Sequence, residues 1–303
     1  MLRLFLAENG FALLDETPVC AAGRYYTVMC AEYTGERRTL TPLESAVGRA
    51  VKPTAEAHGY LLRVEQREDA GRKRNARRPV RADTKGGGIM SVTVTQISDF
   101  LNEWAPWETA EEWDNAGVVV KSSETVTGVL CTLDITHAAI EAARAVGCNT
   151  IVSHHPVVFR AMKRFDASGV AETLLREGMN AVCAHTNLDK AAGGVSETLA
   201  RFAGLEDVQG TGGFCCLGTL PRPQSAAEFA RSVGRALNTA VKYTKGHETV
   251  RTVCVVSGAG GDMTADAVAL GADCLLTGEA SHHEGLDSPI PVIAATHYAT
   301  ETM

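Results

Sequence analysis

From residue 95 onward the chain alternates between two hydrophobic rhythms. Short, β-rich apolar runs at 128–133, 150–153, 180–184, 252–257, 274–277 and 292–295 read as buried strands. Segments whose apolar residues recur every three to four positions, at 136–146, 170–177, 195–202 and 263–270, read as helices. A smaller α+β piece interrupts the alternation: strand 214–220, helix 226–237, strand 240–243. The alternation opens with an amphipathic helix over 96–104. There Ile97, Phe100, Leu101 and Trp104 share one face, Thr95 is the expected N-cap and Pro106 stops the helix. Strands alternating with helices predict an α/β fold with mostly parallel sheets covered by helices.

Residues 1–90 have another pattern. Residues 2–9 read as a helix end capped by Gly10. Residues 11–19 and 25–32 read as an antiparallel hairpin around Ala21-Ala22-Gly23, and 43–67 as one or two helices. A hairpin with helices and no further sheet is a poor independent core. The expected division is 1–72, a basic and Gly-rich linker at 73–90, and the main domain at 91–303, with Met90 as a natural start for that domain.

Composition is that of a globular protein, with 45% hydrophobic and 21% charged residues. No apolar run approaches the roughly 20 residues of a membrane helix, and no basic-then-apolar leader opens the chain. The nine cysteines are scattered with no Cys-x-x-Cys pair, which predicts reduced, buried thiols in a cytoplasmic protein. The net charge of −7 argues against nucleic acid as a partner. The charge is uneven, because residues 63–85 hold nine Lys/Arg and four Asp/Glu, a net +5, leaving −12 elsewhere. The run Arg72-Lys73-Arg74-Asn75-Ala76-Arg77-Arg78-Pro79 has the charge to touch RNA, but the preferred reading is a solvated linker, because it leads into Lys85-Gly86-Gly87-Gly88 with almost no apolar residues.

The candidate chemistry sits just past three strands, where open α/β sheets keep their sites. The strings are Ser153-His154-His155-Pro156, His185-Thr186-Asn187-Leu188-Asp189 and His297-Tyr298-Ala299-Thr300-Glu301. Imidazoles and carboxylates together suit divalent ions. His154 and His155 diverge as strand-end neighbours, so they suit two ions with one imidazole each. His297 and Glu301 are spaced i, i+4 and face one way, with Glu301 a candidate bridge. Asp189 completes an oxygen-and-nitrogen set. His185 is either a ligand or, as preferred here, a residue behind the ligands that orients one of them or a water. His282-His283, among Glu279, Glu284 and Asp287, reads as surface or site rim. Ser257-Gly258-Ala259-Gly260-Gly261 reads equally as a phosphate-binding loop or a tight turn.

Together with Glu112-Trp113-Asp114-Asn115-Ala116-Gly117 and Gly271-Ala272-Asp273 through Thr277-Gly278-Glu279, these strings make residues 91–303 resemble a known family. It is the Nif-three-like dinuclear metal centre hexameric proteins, often named GTP cyclohydrolase 1 type 2 homologues. The resemblance implies two divalent ions per protomer held by His154, His155, Asp189, His297 and Glu301, with Glu301 bridging. Zn, Mn, Fe, Co and Ni are all compatible with such donors. It also implies a two-lobed fold and a toroidal homohexamer. His185, Asp114 and Asn115 are expected behind the ligands or against the substrate. Two departures stand out. The final motif starts at Thr296 where the family usually has Gly, and the sequence stops two residues past Glu301, so that terminal turn is expected to fray. The segment 1–72 resembles the C-terminal end of a bacterial tRNA adenine-N1 methyltransferase. The matching residues are Leu4 through Phe11 and Gly23 through Glu32; no cofactor fingerprint accompanies them, so no methyl transfer is expected.

The functional expectation is a metal-dependent hydrolase of a small anionic, nucleotide-like or phosphorylated molecule. Two divalent ions bring +4 and two carboxylates −2, and the resulting charge of about +2 acidifies a bound water and attracts an anion. The alternative is a non-catalytic metal-binding regulatory or scaffold protein.

Overall fold

The computed structural model describes residues 11–21, 24–33 and 92–302. The expected helices at 2–9 and 43–67, the linker at 73–90 and the start at Met90 lie outside the described residues. The expected hairpin is present, with β1 (Phe11–Ala21) antiparallel to β2 (Arg24–Tyr33) and a register shift between Leu13 and Asp15.

Helix α1 (Val94–Trp104) begins earlier than its pattern predicts. The cap is Thr93, not Thr95. The Thr93 Oγ1 accepts the Gln96 amide at 3.1 Å, and the Gln96 side chain accepts the Thr93 amide at 2.9 Å. This reciprocal box satisfies two amides that a helix start leaves without intrahelical partners, which a Thr95 cap could not do two residues further in.

The chain divides into two compact units, residues 1–100 with 115–184, and residues 101–114 with 185–303. The first contains a four-stranded sheet in the order β3 (Gly117–Val120), β6 (Asn180–Cys183), β5 (Thr150–Ser153), β4 (Val129–Thr132). Strands β4, β5 and β6 run parallel, and β3 closes the edge antiparallel to β6. The crossovers are α2 (His137–Ala145), N-capped by Thr136, and α3 (Val170–Arg176). Leu130, Ile140, Ile151, Leu174 and Met179 pack into one buried cluster between sheet and helices.

The second unit has a six-stranded sheet in the order β7 (Glu206–Gly210), β8 (Cys216–Ser225), β10 (Thr249–Val256), β11 (Cys274–Thr277), β12 (Val292–Ala294), β9 (Lys242–Tyr243). Only β10, β11 and β12 are mutually parallel; β7, β8 and β9 join antiparallel. This sheet is therefore mixed rather than mostly parallel. The segment read as a separate α+β piece is part of this sheet, with β8 lying between β7 and β10 and β9 forming one edge. Phe229 on α6 (Ala226–Leu237) is fully buried with Leu199, Val253 and Ile293. Helix α6 opens with a Ser225/Glu228 capping box.

Cys148, Cys183, Cys215, Cys216, Cys254 and Cys274 are buried, unbridged thiols, and Cys131 is an unbridged, half-buried one. Desolvation pushes the Cys216 thiol up to about 12 and raises Cys274 as well. Cys254 is raised mainly because it donates to Cys215, which is lowered by the same contact.

Candidate metal centre

In the first unit, β5 ends at Ser153 and its ladder with β4 runs on for two residues. The His154 amide donates to the Thr132 carbonyl at 3.3 Å and the His155 amide to the Leu133 carbonyl at 2.9 Å. Both histidines are thus held at the backbone. The His154 ring is nearly buried, and its Nδ1 lies 2.9 Å from the Ala184 carbonyl oxygen just past β6. A carbonyl can only accept, so Nδ1 carries the proton and Nε2 the lone pair. His155 leans the other way, with Nδ1 2.8 Å from Asp134 Oδ1 just past β4. The two rings diverge toward opposite neighbouring strands yet stay 5.1 Å apart between centroids. Asn115 is committed to the backbone here, donating to the Val158 carbonyl at 2.6 Å. It steadies the loop after His155.

In the second unit, His185 immediately precedes a short helix, α4 (Thr186–Lys190). Three anchors fix that helix: Asn187 Nδ2 donates to the Ala105 carbonyl at 2.6 Å, Thr186 Oγ1 to Asp114 Oδ2 at 2.5 Å, and Lys190 pairs with Glu111. His185 Nδ1 lies 2.8 Å from Asp114 Oδ1, and the Asp114 side chain is fully buried. Asp189 accepts from Ser257 Oγ at 2.9 Å.

The last motif forms α9 (His297–Glu301). His297 Nε2 and Glu301 Oε1 converge to 3.0 Å, and the Glu301 side chain is 4% exposed. Two acceptors at that distance require a proton or a cation between them. His297 Nδ1 faces Glu279 Oε1 at 3.4 Å. The helix is locked by the turn after β10. The Gly258 amide donates to Thr300 Oγ1 at 3.1 Å, the Gly260 amide to Thr277 Oγ1 at 2.9 Å, and Thr277 Oγ1 to the Gly258 carbonyl at 3.2 Å. With those amides consumed, residues 257–261 are a tight turn rather than a phosphate cradle. Gly258 has φ +63°, and a Cβ there would meet Glu301 Oε1 at 2.5 Å. His282 and His283 sit exposed on α8 (His282–Asp287), as the rim reading expected.

All four motif histidines therefore aim Nδ1 at an oxygen: Ala184, Asp134, Asp114 and Glu279. That is how metal-binding imidazoles are oriented, since the outer N–H bond fixes the tautomer and sharpens the inner nitrogen as a donor. The histidines and glutamate of these motifs are possible metal-binding groups, and nitrogen and carboxylate donors without thiolate fit a divalent ion. Asp134, the oxygen behind His155, was not singled out from sequence, while Ser257 and Glu279, behind Asp189 and His297, stood in quoted motifs without being given that role. Asp134 lies two residues past β4 and Ser257 directly follows β10, the signal that could have flagged them.

The sequence profile of Duf34/NIF3 (NGG1p interacting factor 3) matches residues 92–303. The chain belongs to this family. Among Duf34/NIF3 relatives, a GTP cyclohydrolase 1 type 2 homolog of Staphylococcus epidermidis is 34% identical over 119 residues. One from Staphylococcus aureus is 35% identical over the same length. Each alignment covers 38% of this chain and 32% of the relative, so the chain spans about a third of the length of the curated relatives it matches. A hypothetical protein of Staphylococcus aureus of known structure superposes with a TM-score of 0.66 at 25% identity, over 70% of this chain and 88% of that one. Reduced HcgD from Methanocaldococcus jannaschii gives 0.59 at 25% identity, over 70% and 90%. A Bacillus cereus protein related to NIF3 gives 0.64 at 18% identity, over 69% and 89%, which supports the α/β fold alone.

Proposed function

We propose that this chain is a metal-dependent hydrolase of a small anionic, nucleotide-like or phosphorylated molecule, acting through two divalent ions. The ligands would be His154, His155, Asp189, His297 and Glu301, with Glu301 bridging. The observation that carries the reading is the shared orientation of the histidines, each with Nδ1 on an oxygen. Family membership and the relatives' name, GTP cyclohydrolase 1 type 2 homolog, support it. Bound ions of this kind acidify a coordinated water. The chain's own residues do the rest: Asp134 and the Ala184 carbonyl hold the His155 and His154 tautomers, Ser257 orients Asp189, and the 257–261 turn fixes α9.

A toroidal homohexamer in the cytoplasm is the assembly and location we propose. Among the described residues no helix is long and apolar enough to cross a membrane. Residues 1–72, with their resemblance to a methyltransferase terminus, are proposed to contribute no chemistry. The deciding experiment is elemental analysis of purified protein followed by a nucleotide and phosphoester screen. Turnover abolished by chelation and restored by Mn²⁺ or Zn²⁺ is expected. Tight metal binding with no turnover across the panel would favour a regulatory or scaffold role.

A further inference from the structure

Asp114 makes more bonds than a packing role requires. Its Oδ1 meets His185 Nδ1 at 2.8 Å. Its Oδ2 accepts both the Thr186 amide at 3.1 Å and Thr186 Oγ1 at 2.5 Å. Thr186 Oγ1 in turn accepts the Glu111 amide at 3.0 Å, which commits its own hydrogen to Asp114. The carboxylate is fully buried, while the His185 side chain is 14% exposed. The ring of Trp113 stands edge-on to His185, 6.2 Å away between centroids, and limits its rotation. An ionised carboxylate only accepts, so the shared proton sits on Nδ1 and the lone pair on Nε2.

We propose that Asp114 is a positioning residue that holds His185 as the Nδ1–H tautomer, so that Nε2 accepts a hydrogen bond from the hydrolytic water and orients it. The inference rests on the hydrolase reading for its water, but not for its tautomer. Asp114→Asn makes a sharp prediction. The Thr186 amide can only donate, so the new side chain must turn its oxygen toward Thr186. Its NH₂ then faces His185 Nδ1. Nδ1 must become the acceptor and the proton must move to Nε2, where it blocks the water.

The test is magic-angle-spinning NMR on the full chain with ¹⁵N-labelled histidine, His185 being assigned by the signal lost in His185→Gln. The expected result is a protonated Nδ1 and bare Nε2 in the wild type, exchanged in Asp114→Asn. Packing alone would not exchange them. A wild-type ring protonated on Nε2, or an Asp114→Asn ring still protonated on Nδ1, overturns the proposal. If Asp114→Asn does not fold, the wild-type spectrum decides alone. The readout needs no turnover, so a failed substrate screen sinks the hydrolase reading and leaves this result standing.

Discussion

Thr296 is the residue whose replacement should most improve this protein. It precedes α9 with φ 67° and ψ 141°, a combination that crowds a Cβ and suits glycine. A β-branched residue held in such a region costs on the order of 1–3 kcal/mol. Thr296→Gly removes that strain but loosens the unfolded chain, which offsets about 0.4–1 kcal/mol. The side chain gives up little, since it is exposed and its one hydroxyl contact, to Thr239, is 3.4 Å long. Its carbonyl, which accepts the Thr300 amide, is unchanged. The net gain is about 0.5–2 kcal/mol. For a cooperative unit of 150–250 residues that raises Tm by about 1–8 °C. Calorimetry should show it, with a urea midpoint that rises at constant slope. Thr296→Ala is the control, because it loses the hydroxyl but keeps the Cβ and should recover almost nothing. If Thr296→Gly is no more stable than wild type, or Thr296→Ala gains as much, the strain argument fails.

Four further outcomes are expected. Glu301→Ala should lower the content of both ions after dialysis, whereas His155→Ala should lower one, as read by mass spectrometry of the metal. Gly258→Ala should be destabilised by about 1–2 kcal/mol, since alanine resists positive φ, and should lose metal because its methyl group displaces Glu301; retained metal content would contradict that packing. Phe229→Ala should cost about 3–5 kcal/mol in urea unfolding. Stability should also fall above about pH 9. The Cys216 and Cys274 thiols are raised in the fold and ionise near their ordinary value once unfolded, so the native state binds more protons there and the slope against pH is negative. Each thiol adds at most about 1.4 kcal/mol per pH unit, and Cys216→Ala should flatten the decline measured between about pH 8 and 11.

The strands that bracket the site were legible because buried parallel strands are nearly continuous apolar runs. β5 and β11 match their sequence bounds, and α5 (Val195–Phe202) and α6 do as well. Strand β7, with sequence Glu-Asp-Val-Gln-Gly, was not legible. It is an exposed edge whose one apolar residue, Val208, is half-buried, and it is held mainly by backbone pairing to β8. The short helix α4 was missed for a related reason. Its five residues show too little periodicity, and long-range bonds from Asn187 and Thr186 hold it. The histidines announced themselves by type and by place after a strand. Their oxygen partners lie up to 71 residues away, as with His185 and Asp114, and such pairings appear only once the chain has folded.

The Gly258–Thr300 bond spans 42 residues and so constrains the order in which the protein folds. A five-residue helix does not persist alone. α9 can therefore take its shape only after β10, β11 and β12 have aligned and the turn between them has closed. His297 and Glu301 are the last donors to reach their relative positions. Added metal should accordingly slow unfolding without speeding folding, because the grip on the ion closes only after the sheet that carries it has formed.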